Sequence, residues 1–148
     1  MHVVCNQLLT RTLVPGMKQA GFGRIINIIS TSVKAPIPGL GVSNTTRGAV
    51  ASWGKTMAGE LGTFGITVNN VLPGYTGTER LMELIRYKAD KMGVGVTELQ
   101  KQWEAEIPAR RFAKPEEIAA AVVFLASPAA SYISGINLPV DGGRLPTL

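Results

Sequence analysis

One cysteine and one histidine in 148 residues rule out an internal disulfide and leave too few soft ligands for a zinc site. Charged residues are also scarce, at 17% of the chain with a net charge of +5. The fifteen Lys and Arg are dispersed, and no run of five or six like charges occurs. A pI near 9.7 therefore does not indicate a nucleic-acid surface. No segment reaches the ~18 apolar residues that a membrane span needs, and no basic stretch leading into an apolar run opens the chain. With 45% hydrophobic residues and a mean hydropathy of +0.18, disorder is excluded as well. There is apolar material for one core and too little for two domains. A lone Cys5 fits a reducing, cytoplasmic setting.

Glycine, proline and runs of isoleucine or valine organise what remains. Val3 to Gln19 reads as a helix with Val4, Leu8, Thr12 and Pro15 on one spacing, bent or ended at Pro15-Gly16. The run Arg24 to Ser30 predicts a parallel strand covered on both faces. A Pro- and Gly-rich loop leads to a helix from about Asn44 to Leu61, with Ala49, Trp53, Met57 and Leu61 recurring every four residues. Ile66 to Leu72 is a β-branched strand ending at Pro73-Gly74. Glu79 to about Glu106 predicts two short helices broken near Gly93 and Gly95. Pro115 starts a helix to Ala126, with Glu116 and Glu117 in its first turn and Ile118, Val122 and Leu125 on its apolar face. Ile136 to Val140 is a last strand, placed at a sheet edge by Pro139. Strands alternating with helices imply an α/β parallel sheet.

In this order, the segments GRIINIIS, ELGTFGITVNNVLPG, RRFAKPEEIAAAVVFLAS and SYISGINLPVDGG resemble the short-chain dehydrogenase/reductase family over essentially the whole chain. The likeness is strongest to its 3-oxoacyl-acyl-carrier-protein-reductase-like members. It implies the C-terminal part of a Rossmann-like doubly wound sheet, with strands equivalent to the family's fifth, sixth and seventh. The family's TGxxxGxG turn, whose following helix holds the cofactor phosphates, has no counterpart here, so the chain is expected to lack the N-terminal cofactor-binding half of that domain.

The family's catalytic group is an Asn, a Ser, a Tyr and a Lys, the last two spaced YxxxK. Here that stretch reads Ser43-Asn44-Thr45-Thr46-Arg47, and Ser30 stands thirteen positions before Ser43, the family's Ser-to-Tyr separation. Ser30, Ser43 and Arg47 are the catalytic candidates that the resemblance implies. Ser30 either polarises a substrate oxygen, the preferred reading, or satisfies backbone at a strand end. Ser43 either orients a substrate oxygen or water, or caps the following helix, the capping being preferred. Arg47 either forks onto the cofactor ribose or is a surface charge, and unlike Lys it cannot exchange a proton near neutral pH. His2 falls near the family's catalytic Asn without a role assigned to it. Tyr75 is a conceivable replacement phenol, although a loop tyrosine more often covers a cofactor or packs on the surface. Pro73, Gly74, Thr76 and Thr78 resemble the PGxxxT loop that contacts the nicotinamide carboxamide.

The expected activity is that of an NAD- or NADP-dependent oxidoreductase on a small carbonyl or secondary alcohol, with this chain inactive alone. The alternative is a non-catalytic interaction or oligomerisation module, using the surface of the family's fourth and fifth helices as a homo-oligomer does. Neither a metal, nucleic acid nor a membrane is expected.

Overall fold

The computed structural model describes residues 2–147. Three parallel strands, β1 (Gly23–Ile28), β2 (Ile66–Pro73) and β3 (Asn137–Val140), form a sheet in the order β1-β2-β3. Every residue of β2 from Ile66 to Leu72 is buried, as its β-branched sequence and central position require. Pro139 lies on β3, which among the described residues pairs only with β2, where a missing N–H is tolerated.

Helices α1 (His2–Ala20) and α2 (Gly41–Leu61) cover one face of the sheet, and α5 (Pro115–Ala126) covers the other. The alternation of β2 divides the core accordingly. Ile66, Val68 and Leu72 meet Val14 of α1 and Val50, Ala51 and Leu61 of α2, whereas Val71 meets Ile118 and Leu125. Helices α3 (Glu79–Met92) and α4 (Val96–Ala105) make a satellite core from Leu81, Ile85, Ala89, Leu99 and Trp103. Their break at 93–95 is the one that the glycines predict, with Gly93 in the left-handed conformation. Among the described residues no helix is long and apolar enough to cross a membrane.

Four expectations are corrected. Helix α1 runs through Pro15 to Ala20, and its buried residues are Thr10 and Val14, so Val4 and Leu8 face outward. Strand β1 is the free edge of the sheet among the described residues, and Ile28 is 50% exposed, because the strand is covered fully on one face only. Helix α2 starts at Gly41, three residues earlier than the apolar repeat suggests. Its buried stripe is Val50, Ala51, Gly54 and Leu61, while Ala49 is exposed and Trp53 donates its indole N–H to Gln7 of α1 at 2.8 Å.

A polar seam crosses the α1/α2 side of the sheet. Asn6 donates to Asn27 (3.0 Å), Asn27 to Asn70 (2.8 Å) and Asn70 to Asn137 (2.8 Å), linking α1 to all three strands through side-chain amides. Buried amides persist only when paired, and head-to-tail pairing achieves this. Gly54 lies directly above the seam: a Cβ there would stand 3.0 Å from Asn70 Oδ1 and 3.3 Å from Asn27 Nδ2.

Candidate functional site

The C-terminal ends of β1 and β2 open onto a cleft of about 390 Å³. Ser30 enters it from the end of β1, Ser43 and Arg47 from the first turns of α2, and Pro73, Gly74, Thr76 and Thr78 from the loop after β2. Residues up to 48 positions apart in the chain are thus brought to one place, as strand ends are in open parallel sheets.

Ser30 has extended backbone (φ −170°, ψ 152°), and its Oγ accepts the Ser32 N–H at 3.1 Å, capping a short 3-10 turn at Thr31–Val33. This satisfies the backbone and still leaves the hydroxyl proton free to donate into the cleft. Ser43 does not cap α2. The N-cap position is Leu40, without a side-chain bond, and the loop is instead clamped by Asn44, whose Nδ2 donates to Ile37 O at 2.9 Å. The capping expectation fails because the helix begins two residues before Ser43. Ser43 Oγ consequently faces the cleft with no hydrogen-bond partner among the described residues. Arg47 is half-buried, and among the described residues it forms no ion pair.

The loop after β2 is held on both sides. Gly74 N donates to Val140 O at 3.0 Å, Gly77 N to Ala113 O at 2.8 Å, and Ala113 N to Tyr75 O at 2.9 Å. Gly74 packs against the start of the turn after β3, where a Cβ would meet Asp141 Cβ at 2.7 Å and Cα at 2.8 Å. Thr76 donates its hydroxyl to Gly74 O at 3.3 Å. Thr78 is the N-cap of α3, its Oγ1 accepting Leu81 N–H at 3.4 Å, which leaves its own proton to donate.

Tyr75 also lines the cleft, but its ring is packed among other side chains. Its ring stacks on Trp103 at 5.0 Å and 12°, meets Phe112 edge-on at 6.0 Å, and lies under the Arg144 guanidinium at 4.2 Å. Its hydroxyl accepts from Arg144 Nη2 at 3.2 Å, and Arg144 also pairs with Glu106 at 3.3 Å. Burial pushes the phenol above its ordinary range, opposed by Arg144 and reinforced by Glu106.

His2, exposed at the start of α1, lines an adjoining hollow that shares Ser43 and Arg47 with the cleft. Sequence reasoning passed over Arg80, which lines the cleft from the first turn of α3. An isolated arginine at a helix start carries no motif, so only the tertiary placement reveals it. It also passed over the asparagine seam, for which the Asn69-Asn70 pair inside an otherwise apolar buried strand was an available signal.

A family model described as enoyl-(acyl carrier protein) reductase matches residues 2–144. The short-chain reductase protein NovJ of Streptomyces niveus is 38% identical over 130 residues, covering 86% of this chain and 47% of that protein. The NADPH-dependent reductase BacG of Bacillus subtilis (strain 168) is 33% identical, covering 89% and 51%. Among solved structures, L-sorbose reductase from Gluconobacter frateurii complexed with NADPH and L-sorbose aligns with a TM-score of 0.93 and 35% identity, over 100% of this chain and 57% of that one. The chain spans about half the length of the curated relatives it matches.

Proposed function

Because the chain belongs to the short-chain dehydrogenase/reductase family, we propose that its residues form the nicotinamide- and substrate-facing part of an NAD(P)-dependent oxidoreductase acting on a carbonyl or secondary alcohol. The observation that carries this reading is the convergence of Ser30, Ser43, Arg47 and the 73–78 loop on one cleft.

The donor set fits the nicotinamide end of a dinucleotide. Pro73 and Gly74 supply backbone, Thr76 a hydroxyl oxygen that accepts and Thr78 a hydroxyl that donates, the pair of functions a carboxamide requires. Arg47 is a fixed cation that offers its guanidinium to an oxygen-bearing group of the bound ligand and relays no proton. The nicotinamide, when bound, supplies or accepts the reducing equivalent. Ser30 donates its free proton in a hydrogen bond to the substrate oxygen, and Ser43, an aliphatic hydroxyl too weakly acidic to replace a phenol, orients that oxygen or a water. The TGxxxGxG turn that holds the cofactor phosphates in the family does not occur in this sequence, and we expect the chain alone to be catalytically silent.

The test is a chimera joining this chain to the N-terminal part of L-sorbose reductase that it does not cover, assayed by nicotinamide absorbance against a panel of aldehydes, ketones and alcohols. Turnover is expected, with Ser30→Ala lowering kcat about a hundredfold. A folded chimera without cofactor-dependent turnover on any panel member refutes the reading.

A second reading, a non-catalytic module that self-associates through α1 and α2, is favoured by the outward apolar side chains Val4, Leu8 and Leu13, each more than half exposed, and Val42 at 86%. The same surface is where we place homo-oligomer contacts of an active protein. Sedimentation expects a dimer or larger that Leu8→Glu dissociates, and a folded monomer removes this reading.

A further inference from the structure

We propose that the cleft recognises an anionic substrate, whose carboxylate or phosphate is held between Arg47 and Arg80. This rests on the oxidoreductase reading for the word substrate, but the anion site itself rests on the cleft alone.

Two guanidinium-bearing residues line the cleft from different helices, Arg47 from α2 and Arg80 from α3, and no Asp or Glu is among its lining residues. The adjoining hollow, which shares Ser43 and Arg47, adds His2 and again no carboxylate. The carboxylate nearest in sequence to Arg80 is Glu79, which is engaged by Arg86 at 2.9 Å. The other arginine ion pairs of the described residues, Arg111 with Glu117 and Arg144 with Glu106, leave Arg47 and Arg80 outside them. Among the described residues Arg86, Arg111 and Arg144 are matched by carboxylates, whereas Arg47 and Arg80 share one cleft whose lining holds none.

Like charges held around one concavity raise the local potential and favour an anion that neutralises them. Guanidinium is the group suited to this, because its planar fork matches the oxygens of carboxylate and phosphate. Ser43 adds a hydroxyl without a protein partner, and Ser30 and Thr78 add free hydroxyl protons, so further oxygens of the ligand meet donors rather than acceptors. Leu81 and Leu84 supply an apolar wall for the rest of a small molecule. The two sources of such an anion are a substrate carrying a charged group and the phosphate of a bound dinucleotide, and we assign it to the substrate.

The first experiment titrates inorganic phosphate into the unaltered chain at constant ionic strength, following backbone and arginine side-chain resonances. Saturable shifts at Arg47, Arg80 and Ser43 are expected, with Arg80→Gln and Arg47→Gln each weakening the apparent Kd about fivefold and Lys101→Gln, on α4 outside the cleft, leaving it unchanged. Linear shifts, or equal weakening by Lys101→Gln, overturn the anion site whatever the chain's enzymology. The second experiment compares 4-oxopentanoate with its uncharged methyl ester as substrates of the chimera. Arg80→Gln is expected to lower kcat/KM about fivefold for the acid and leave the ester within about twofold. Equal losses on both overturn the substrate assignment in favour of a cofactor phosphate. Saturable phosphate binding in a chimera that turns over neither compound nor any of the wider panel refutes the oxidoreductase reading while the anion site stands.

Discussion

Replacing Gly74 by alanine should destabilise the chain even with no ligand present. The new Cβ would lie 2.7 Å from Asp141 Cβ and 2.8 Å from its Cα, against an ordinary carbon–carbon separation of about 3.5–4.0 Å. One strand end must therefore retreat by roughly 1 Å, and neither is free to do so. Gly74 N donates to Val140 O at 3.0 Å across the β2–β3 pair, and the Asp141 carboxylate accepts from Gly143 N at 3.0 Å and Leu145 N at 2.8 Å. Inserting a methyl group into such a contact typically costs about 1–3 kcal/mol. For a chain of this size that corresponds to a Tm lowered by about 3–10 °C. Gly77→Ala is the control, since its Cβ would stand 3.5 Å from Ala113 O, an ordinary contact, and its effect should stay within about 0.5 kcal/mol. Urea denaturation followed by tryptophan fluorescence measures both. If Gly74→Ala and Gly77→Ala are equally stable without ligand, the glycine serves cofactor approach and not strand packing, and the structural reasoning is wrong.

Asn137→Val removes the last acceptor of the amide seam and leaves Asn70 Nδ2 buried without a partner, at a cost of about 1–3 kcal/mol. Asn70→Val with Asn137→Val should cost less than the two single changes added together, and strict additivity in urea melts would contradict a coupled seam. The Glu117 carboxylate is held down to about 2 from its ordinary 4.5, chiefly by its hydrogen bond with the Arg111 guanidinium, then by the Lys114 backbone N–H. Because the folded value is the lower one, the stabilisation is complete above pH 4.5 and fades as pH falls toward 2. Glu117→Gln should flatten the stability profile in that window. The carboxyl resonance of the parent chain should titrate near 2 and that of Arg111→Gln closer to 4.5, whereas a parent midpoint at 4.5 would refute the fork.

The α/β class, the parallel order of strands and the break between α3 and α4 were legible from periodicity and glycine placement. Pro139 marked its own edge position, because a residue without an N–H has few places in a sheet. The seven candidate residues 30, 43, 47, 73, 74, 76 and 78 were legible only through spacing and resemblance, and the fold gathers them around one cleft. Which face of α1 is buried was not legible, because apolar residues recur on both of its sides and periodicity alone does not tell which side meets the sheet. The start of α2 was missed because its N-cap is Leu40, which offers no capping side chain to read.

Local chemistry thus decided which segments are helices and strands and where proline is tolerated, and the family resemblance alone proposed Ser43 and Arg47 for the positions of the catalytic Tyr and Lys. Tertiary packing decided what those residues face. It freed Ser43 from helix capping, turned the Tyr75 phenol toward Arg144, set Gly74 against Asp141, and brought Arg80 to the same cleft as Arg47. The reason is range: propensity and capping act within a turn or two of the chain. Charge, burial and close approach act between groups that only the folded sheet places side by side.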